Sequence, residues 1–338
     1  MADSPQLLAS VAAALPQYFS GPVRKQINRR SVLLRVIRAV RGSGKNVGFD
    51  IEADGAVAEN FGDGDDVSNF GSDALTPATL GWGQVRSNFR VGNVALRAAQ
   101  SSKDGMRLLA RNFMSSAGKL ASLVNTQCFT GTGAANSIVG LTTAIHDANI
   151  YAGINRATPG NEYWRSMVAD SAAAPLSLAM IRQDIGSTIY DASGMEPDLA
   201  FVGSAAYLKI GALFQETRRD VIPATEITTS RGRVTLDGGI GAIRVDNTVF
   251  VKDKDCPAGQ ILYINSDAME LEYLPSEDEE GEAGTMELDV DDGLGPIPLG
   301  LKCYPLARVG ASRRFTIEGV LQLKLTQPNA FGRRINFT

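Results

Sequence analysis

The chain has little of what enzymes and secreted scaffolds depend on. It holds a single histidine, His146, in 338 residues. A Ser-His-Asp or Cys-His catalytic set could be built only around that residue, and nothing nearby singles out a nucleophile. His146 therefore reads as a polar loop residue. Three cysteines (Cys128, Cys256, Cys303) lie far apart with no CxxC pairing. That spacing argues against a disulfide scaffold or a zinc site and suits a reducing cytoplasm. No apolar run approaches the roughly 18–20 residues that a membrane span needs. Leu7 to Leu15 is apolar but no basic residue precedes it, which makes a poor signal peptide. A soluble protein is expected. Its 44% hydrophobic and 21% charged content are globular values, against wholesale disorder. The length suffices for two domains, or for one with long excursions.

Charge of one sign is missing from each of two consecutive blocks. From Ser4 to Phe49 there is no acid, and eight bases: Arg24, Lys25, Arg29, Arg30, Arg35, Arg38, Arg41 and Lys45. From Asp50 to Val85 there is no base, and eight acids: Asp50, Glu52, Asp54, Glu59, Asp63, Asp65, Asp66 and Asp73. The net charge of −4 averages this asymmetry away. Segregated blocks suit electrostatic complementarity between surfaces, where opposite patches steer docking and fix register. Neither block can neutralise itself, so each is expected to lie on something else, such as a neighbouring copy of the chain.

Local patterns divide the rest. Leu33, Leu34, Val36, Ile37 and Val40 alternate with arginines between Gly21-Pro22 and Gly42-Ser43-Gly44. Residues 48–95 are glycine-rich with little helical periodicity, a connection far longer than usual, and such loops are functional or disordered. Val91, Val94 and Leu96 hint at a returning strand. Met106, Leu109, Phe113, Ala117, Leu120, Val124 and Cys128 then step by three or four, the signature of one face of a long helix. A second helix is expected from Pro175 to Gly194, with Leu178, Ile181, Ile185 and Ile189 on one face. Short strands follow at 233–236, 242–245, 248–252, 260–265 and 268–274. The stretch Asp267–Asp292 carries twelve acids and no base. Phe315, Ile317, Gly319, Leu321, Leu323 and Leu325 alternate with polar residues, which is the period of a strand.

Motifs for small-molecule chemistry fail on inspection. Gly42-Ser43-Gly44-Lys45-Asn46 would need a glycine at Ala39 and Ser or Thr at Asn46 to be a phosphate loop, so it reads as a hinge. Gly131-Thr132-Gly133 lacks a third glycine and follows a helix, which excludes a dinucleotide fingerprint. Asp63-Gly64-Asp65 and Asp289-Val290-Asp291 start like calcium loops, but Val67 and Gly293 stand where ligands are required. No catalytic, cofactor-binding or metal-binding residue is expected. The arm's arginines could contact nucleic-acid phosphate, but no aromatic residue is interleaved between Phe19 and Phe49 for base stacking.

Tyr151-Ala152-Gly153-Ile154-Asn155-Arg156, followed by Trp164-Arg165-Ser166, resembles a signature of tailed-bacteriophage major capsid proteins. Phe129-Thr130-Gly131-Thr132-Gly133 with Ile138-Val139-Gly140-Leu141 is similar to that family's stretch behind its spine helix. Glu196-Pro197-Asp198-Leu199-Ala200-Phe201-Val202 resembles its helix-to-strand step, and Val245-Asp246 through Pro257-Ala258-Gly259-Gln260-Ile261-Leu262-Tyr263-Ile264 is similar to its later strands. The resemblance implies an α+β, Hong Kong 97 phage-type capsid fold. It assigns 1–47 to an N-terminal arm, 48–95 to an extended loop and 96–174 to a peripheral domain with the spine helix. Residues 175–300 would be an axial domain, and 301–338 a return to the peripheral domain.

What the resemblance implies about function is a shell. Hexamers and pentamers of the chain would form an icosahedral head around double-stranded DNA, a structural role and no enzyme. Arg24, Arg29, Arg30, Arg35, Arg38 and Arg41 of the arm would be inter-subunit residues. So would the eight loop acids, Asp50, Glu52, Asp54, Glu59, Asp63, Asp65, Asp66 and Asp73. The implied partners are other copies, a portal, packaged DNA on the inner face and a separate scaffolding protein, the arm starting almost at Met1. A decoration protein is left open. The implied location is the virion, and the host cytoplasm during assembly. The fold's name-giving phage links subunits through a loop lysine, yet no lysine occurs from Asn46 to Ser102, so assembly without isopeptide bonds is expected. An encapsulin-like nanocompartment is the rival reading, and a metal-dependent enzyme using the acidic segments is the rival from another class.

Overall fold

The computed structural model describes residues 32–52, 60, 63, 75–92, 103–217, 226–229, 232–235, 242–275, 286–290, 295–309 and 312–338. Two six-stranded sheets share one long helix. In the first sheet β1 (Arg38–Arg41) pairs with β14 (Met269–Tyr273), β14 with β17 (Ser312–Leu325), β17 with β16 (Gly295–Val309) and β16 with β15 (Met286–Val290). The other edge of β17 carries β4 (Gly83–Gly92). The second sheet has the order β11 (Ala242–Val245), β12 (Thr248–Lys252), β8 (Leu199–Val202), β13 (Gln260–Ile264), β18 (Gly332–Ile335) and β7 (Met167–Asp170). Three hairpins stand apart: β2 (Val47–Glu52) with β3 (Leu75–Leu80), β5 (Ile150–Tyr151) with β6 (Ile154–Asn155), and β9 (Glu226–Thr229) with β10 (Gly232–Thr235).

Among the described residues the sheets are accompanied by the α-helices α1 (Leu33–Val36), α2 (Lys103–Thr130), α3 (Leu141–Ala144), the composite α4 and α5 (Ser204–Thr217). The composite α4 starts as Leu178–Arg182, widens into a π-helical stretch at Gln183–Ile189 and closes as Tyr190–Ser193. The long helix α2 has 28 residues and so spans about 42 Å at 1.5 Å per residue. Its stripe of Phe113, Ala117, Leu120, Val124 and Cys128 is buried, each large apolar member stabilising the fold by about 1.5–3 kcal/mol. The helix stops because the chain folds back onto it. A Cβ at Gly140 would lie 2.4 Å from the Gln127 carbonyl oxygen, and one at Gly131 would lie 2.0 Å from that of Ile138. Only glycine permits this backbone-on-backbone crossing.

Strand β17 shows why position outweighs pattern. Its alternating Phe315, Ile317, Leu321, Leu323 and Leu325 are buried as the period requires. Thr316, Gln322 and Lys324 on the opposite face are buried as well, because β17 is central and the β2–β3 hairpin covers its far end. Each of these polar groups has a partner. Thr316 Oγ1 donates to Asn88 Oδ1 at 2.6 Å, and Gln322 Oε1 accepts from the Val139 N–H at 3.4 Å.

The second sheet separates two cores. Phe201 of β8 meets Phe129 of α2 edge-on at 5.4 Å, whereas Ala200 and Val202 face Ile181, Ile185, Ile189 and Ile210 of α4 and α5. Strand pairing crosses the expected boundaries. Strand β14, within 175–300, belongs to the first sheet, while β7, within 96–174, and β18, within 301–338, belong to the second. Residues 48–95 differ from the expected long loop, since β2, β3 and β4 occupy much of it. The hinge expected at Gly42-Ser43-Gly44 is a tied turn. The Gly42 N–H donates to the Tyr273 carbonyl at 2.8 Å, and Trp82 Nε1 donates to the Gly44 carbonyl at 3.1 Å.

Candidate functional site

The charged blocks are the surfaces to examine, and the structure treats their two ends differently. Arg24, Arg29 and Arg30 lie outside the described residues, as does the side chain of Arg35 on α1. The basic block that holds them was expected to lie on something else, such as a neighbouring copy. Leu33, Leu34, Val36 and Ile37 are instead buried in the chain's own core. Residues 38–41 continue as β1, parallel to β14, with Arg38 opposite Glu270 and Arg41 opposite Tyr273. Arg38 Nη1 lies 3.6 Å from Glu270 Oε1 with the arginine 59% exposed, a pair worth only about 0–1 kcal/mol. Arg41 is also exposed.

Beneath Arg38 lies a stronger group of charges. Lys324 Nζ is 2.8 Å from Glu270 Oε2, hydrogen-bonds the Glu272 carboxylate, and stands 5.5 Å above the Phe49 ring. Burial alone would lower the ammonium pKa. Its hydrogen bonds to Glu270 and Glu272, with their charges, outweigh that and raise it. This cluster ties β14, β17 and the hairpin together, so the Glu270 and Glu272 at the head of the second acidic stretch serve the fold.

Of the loop acids, Asp50 on β2 and Asp63 are exposed. Asp54, Glu59, Asp65, Asp66 and Asp73, and the side chain of Glu52, lie outside the described residues. The hairpin's opposite face is apolar, with Val47, Ile51, Ala78 and Leu80 buried and Phe49 6.2 Å from Trp164. The Thr79 N–H donates to the Ala152 carbonyl at 3.0 Å and pins the hairpin to the β5–β6 turn. The loop's base is therefore anchored apolar-side down, with Asp50 turned to solvent.

The signature at 151–166 is a structural brace. Ala152 and Gly153 both have positive φ, 52° and 84°, the requirement of a tight two-residue hairpin turn. Tyr151 Oη accepts from the Leu325 N–H at 2.9 Å, linking this hairpin to the end of β17. Arg156 is fully buried against Tyr151, its guanidinium 5.0 Å from the ring, and Nη1 donates to the carbonyls of Ala144 and His146. Burial pushes its pKa down to about 10, while the Tyr151 and Asp147 charges oppose the change. Arg165 Nε donates to the Arg156 carbonyl at 2.7 Å, and Ser166 Oγ to that of Pro328 at 2.7 Å. The hydrogen bonds named here all end on backbone groups.

A second buried network was invisible in the sequence. Arg334 of β18 forms a two-pronged ion pair with Asp184 of α4, and Tyr263 Oη donates to the same carboxylate at 3.0 Å. Arg334 Nη1 donates to Ser171 Oγ at 2.8 Å. The π-helical widening of α4 brings Asp184 and Ile185 inward together. No spacing rule links residues 150 positions apart, so only the fold reveals the pair.

Among the described residues no group of three His, Cys, Asp or Glu side chains could hold a metal ion. Asp63 is exposed, and the side chain of Asp289 lies outside the described residues. Burial pushes the thiols of Cys128 and Cys303 up to about 12 and that of Cys256 higher still, which leaves them poor nucleophiles. No described helix is long and apolar enough to cross a membrane.

No protein-family model matches the sequence, and no curated protein sequence matches it. Solved structures do. The capsid asymmetric unit of the cyanophage A-1(L) superposes with a TM-score of 0.67 at 15% identity, covering 91% of this chain and 93% of that one. The SrpI encapsulin of Synechococcus elongatus gives 0.58 at 14% identity over 90% and 86% of the two chains. The capsid of a native GTA particle gives 0.57 at 13% identity over 90% of each. The chain thus has the α+β, Hong Kong 97 phage-type fold of tailed-phage major capsid proteins.

Proposed function

We propose that the chain is the major capsid protein of a tailed-phage head, assembling into hexamers and pentamers of an icosahedral shell around double-stranded DNA. The observation that carries this reading is the fold shared over 91% of the chain with a cyanophage capsid unit. In this reading 1–47 is the arm, 48–95 the extended loop reaching a neighbour and 175–300 mainly the axial domain. A separate scaffolding protein and a portal complete the assembly. Subunits hold together without isopeptide bonds, since no lysine occurs from Asn46 to Ser102. The second reading, an encapsulin-like compartment, is favoured by the SrpI likeness at a TM-score of 0.58.

Negative-stain microscopy of the expressed protein, with and without its upstream neighbour gene, tests the shell. Closed particles are expected, and protein that stays dispersed under both conditions overturns the reading. Nuclease-protected double-stranded DNA inside particles from phage-producing cells supports the head, and a co-purifying protein cargo without DNA supports the compartment.

A further inference from the structure

Arg156 is fully buried, yet only one nitrogen of its guanidinium is used among the described residues. Nη1 donates to the Ala144 carbonyl at 2.7 Å, to the His146 carbonyl at 2.6 Å and to Asn149 Oδ1 at 3.2 Å. Nε and Nη2, the two donors of its side-on fork, are buried without a hydrogen-bond partner among the described residues. The Tyr151 ring face, 5.0 Å from the guanidinium carbon, attracts the charge without supplying an oxygen. Arg333 of β18 repeats the pattern. Its Nη1 donates to the Thr142 carbonyl at 3.0 Å, while its Nε is buried and unpartnered among the same residues. The two side chains thus hold the alternate carbonyls of residues 142, 144 and 146 and keep three buried donor nitrogens in reserve. A buried charged donor without an acceptor is strongly unfavourable, so a fold that keeps three together calls for an acceptor.

The charges at this place are out of balance as well. The His146 pKa is lowered by burial, then by Arg333, with Arg156 adding to it, so both guanidiniums are felt at the imidazole. Asp147 is felt by all three groups, but it is exposed and lies 2.9 Å from His146 Nδ1. We propose that the Arg156 fork, with the Arg333 charge supporting it, is a binding site for a small carboxylate of formate or acetate size. Two parallel N–H groups of one guanidinium match the two oxygens of a carboxylate. The enclosure of Arg156 sets the size. A side chain of another protein cannot reach a fully buried group, whereas an ion of a few atoms enters through local opening. Once bound, it would tie residues 142–149 to the β5–β6 hairpin, whose Ala152 carbonyl holds β3 through the Thr79 N–H. Such a site belongs to the folded chain whether or not copies assemble.

The probe is sodium formate, added to the full chain against sodium chloride at constant ionic strength. The His146 ring is followed by NMR, and thermal unfolding is measured alongside. A carboxylate on the fork brings negative charge near His146 and favours its protonated form. The His146 midpoint should therefore rise saturably from its lowered value, and the unfolding temperature should rise with it. D147N removes a competing charge from an exposed position and should lower the half-saturating formate concentration by about threefold or more. R156K keeps the charge but loses the fork, and should weaken formate at least about tenfold. If R156K does not fold, the unaltered chain and D147N decide. Equal responses to formate and chloride overturn the inference, since ionic screening with internal water on the fork then accounts for everything. A formate response in D147N but not in the unaltered chain also overturns it, and identifies Asp147 as the fork's own acceptor. Unchanged half-saturation in D147N, or an undiminished response in folded R156K, places the ion elsewhere and overturns it too.

Discussion

His146 illustrates how a residue that looks chemical becomes structural. The Ala148 N–H donates to its Nδ1 at 3.0 Å, so that nitrogen carries a lone pair and the 2.9 Å approach of Asp147 is no ion pair in the neutral form. Burial, then the charges of Arg333 and Arg156, lower its pKa from 6.5, with Asp147 opposing. As the only histidine it can be followed alone by NMR, and its midpoint should fall below 6.5. Since the folded pKa is depressed, its contribution to stability is complete above 6.5 and is lost as pH falls through the folded midpoint. A midpoint at or above 6.5 would contradict this environment. Asp184 makes a sharper residue-scale test. D184N leaves the buried Arg334 without its counter-charge and should cost about 3–5 kcal/mol in denaturant unfolding. A loss below about 1 kcal/mol, the level of an exposed pair, would mean the network carries no weight.

At the scale of elements, the turn after α2 makes a prediction that separates space from backbone conformation. Gly140 has an ordinary φ of −85°, so G140A strains nothing intrinsically. Its methyl would nevertheless strike the Gln127 carbonyl and the Gly131 nitrogen, and should cost about 1–3 kcal/mol or more through displaced backbone. Unchanged unfolding would mean the crossing is looser than described. The same element shows what could be read beforehand. The stripe from Phe113 to Cys128 announced α2 because a helix reports its own buried face locally. The alternation from Phe315 to Leu325 announced β17 for the same reason. Hidden was everything set by distant partners. Strands β2, β3 and β4 contain Pro77, Gly83 and Gly92 and carry weak local signals, and their pairing depends on each other and on β17 more than 200 residues away. Lys324 looked like the solvent side of an alternating strand. Only the overlying hairpin and the carboxylates of β14 make it a buried ion. The charge blocks were legible as composition, but the placing of Arg90 of β4 opposite Arg314 of β17 was not, since register is no local property.

For the whole molecule, the proposed shell raises the question of what would hold copies together once each chain is folded. In the proposed shell the base of the 48–95 segment is anchored on its own subunit through the β2–β3 hairpin, and Asp50 and Asp63 are exposed. Deleting Gly55–Ser72 should therefore leave a folded chain that no longer closes shells, and normal particles from that deletion would sink the idea. The proposed shell would hold together without covalent links. The described thiols are buried or partly buried, with pKa values raised to about 12 or beyond, and no lysine stands between Asn46 and Ser102 to act as a loop nucleophile. Cohesion must then come from buried apolar area and charge pairing. Each exposed pair is worth only about 0–1 kcal/mol, but a closed shell repeats it at every equivalent interface. Such a shell should loosen in high salt, where surface pairs are screened. Boiled in detergent without reductant, its particles should run as a single band near 35.9 kDa. A ladder of multimers would show a covalent bond between subunits and overturn the non-covalent account.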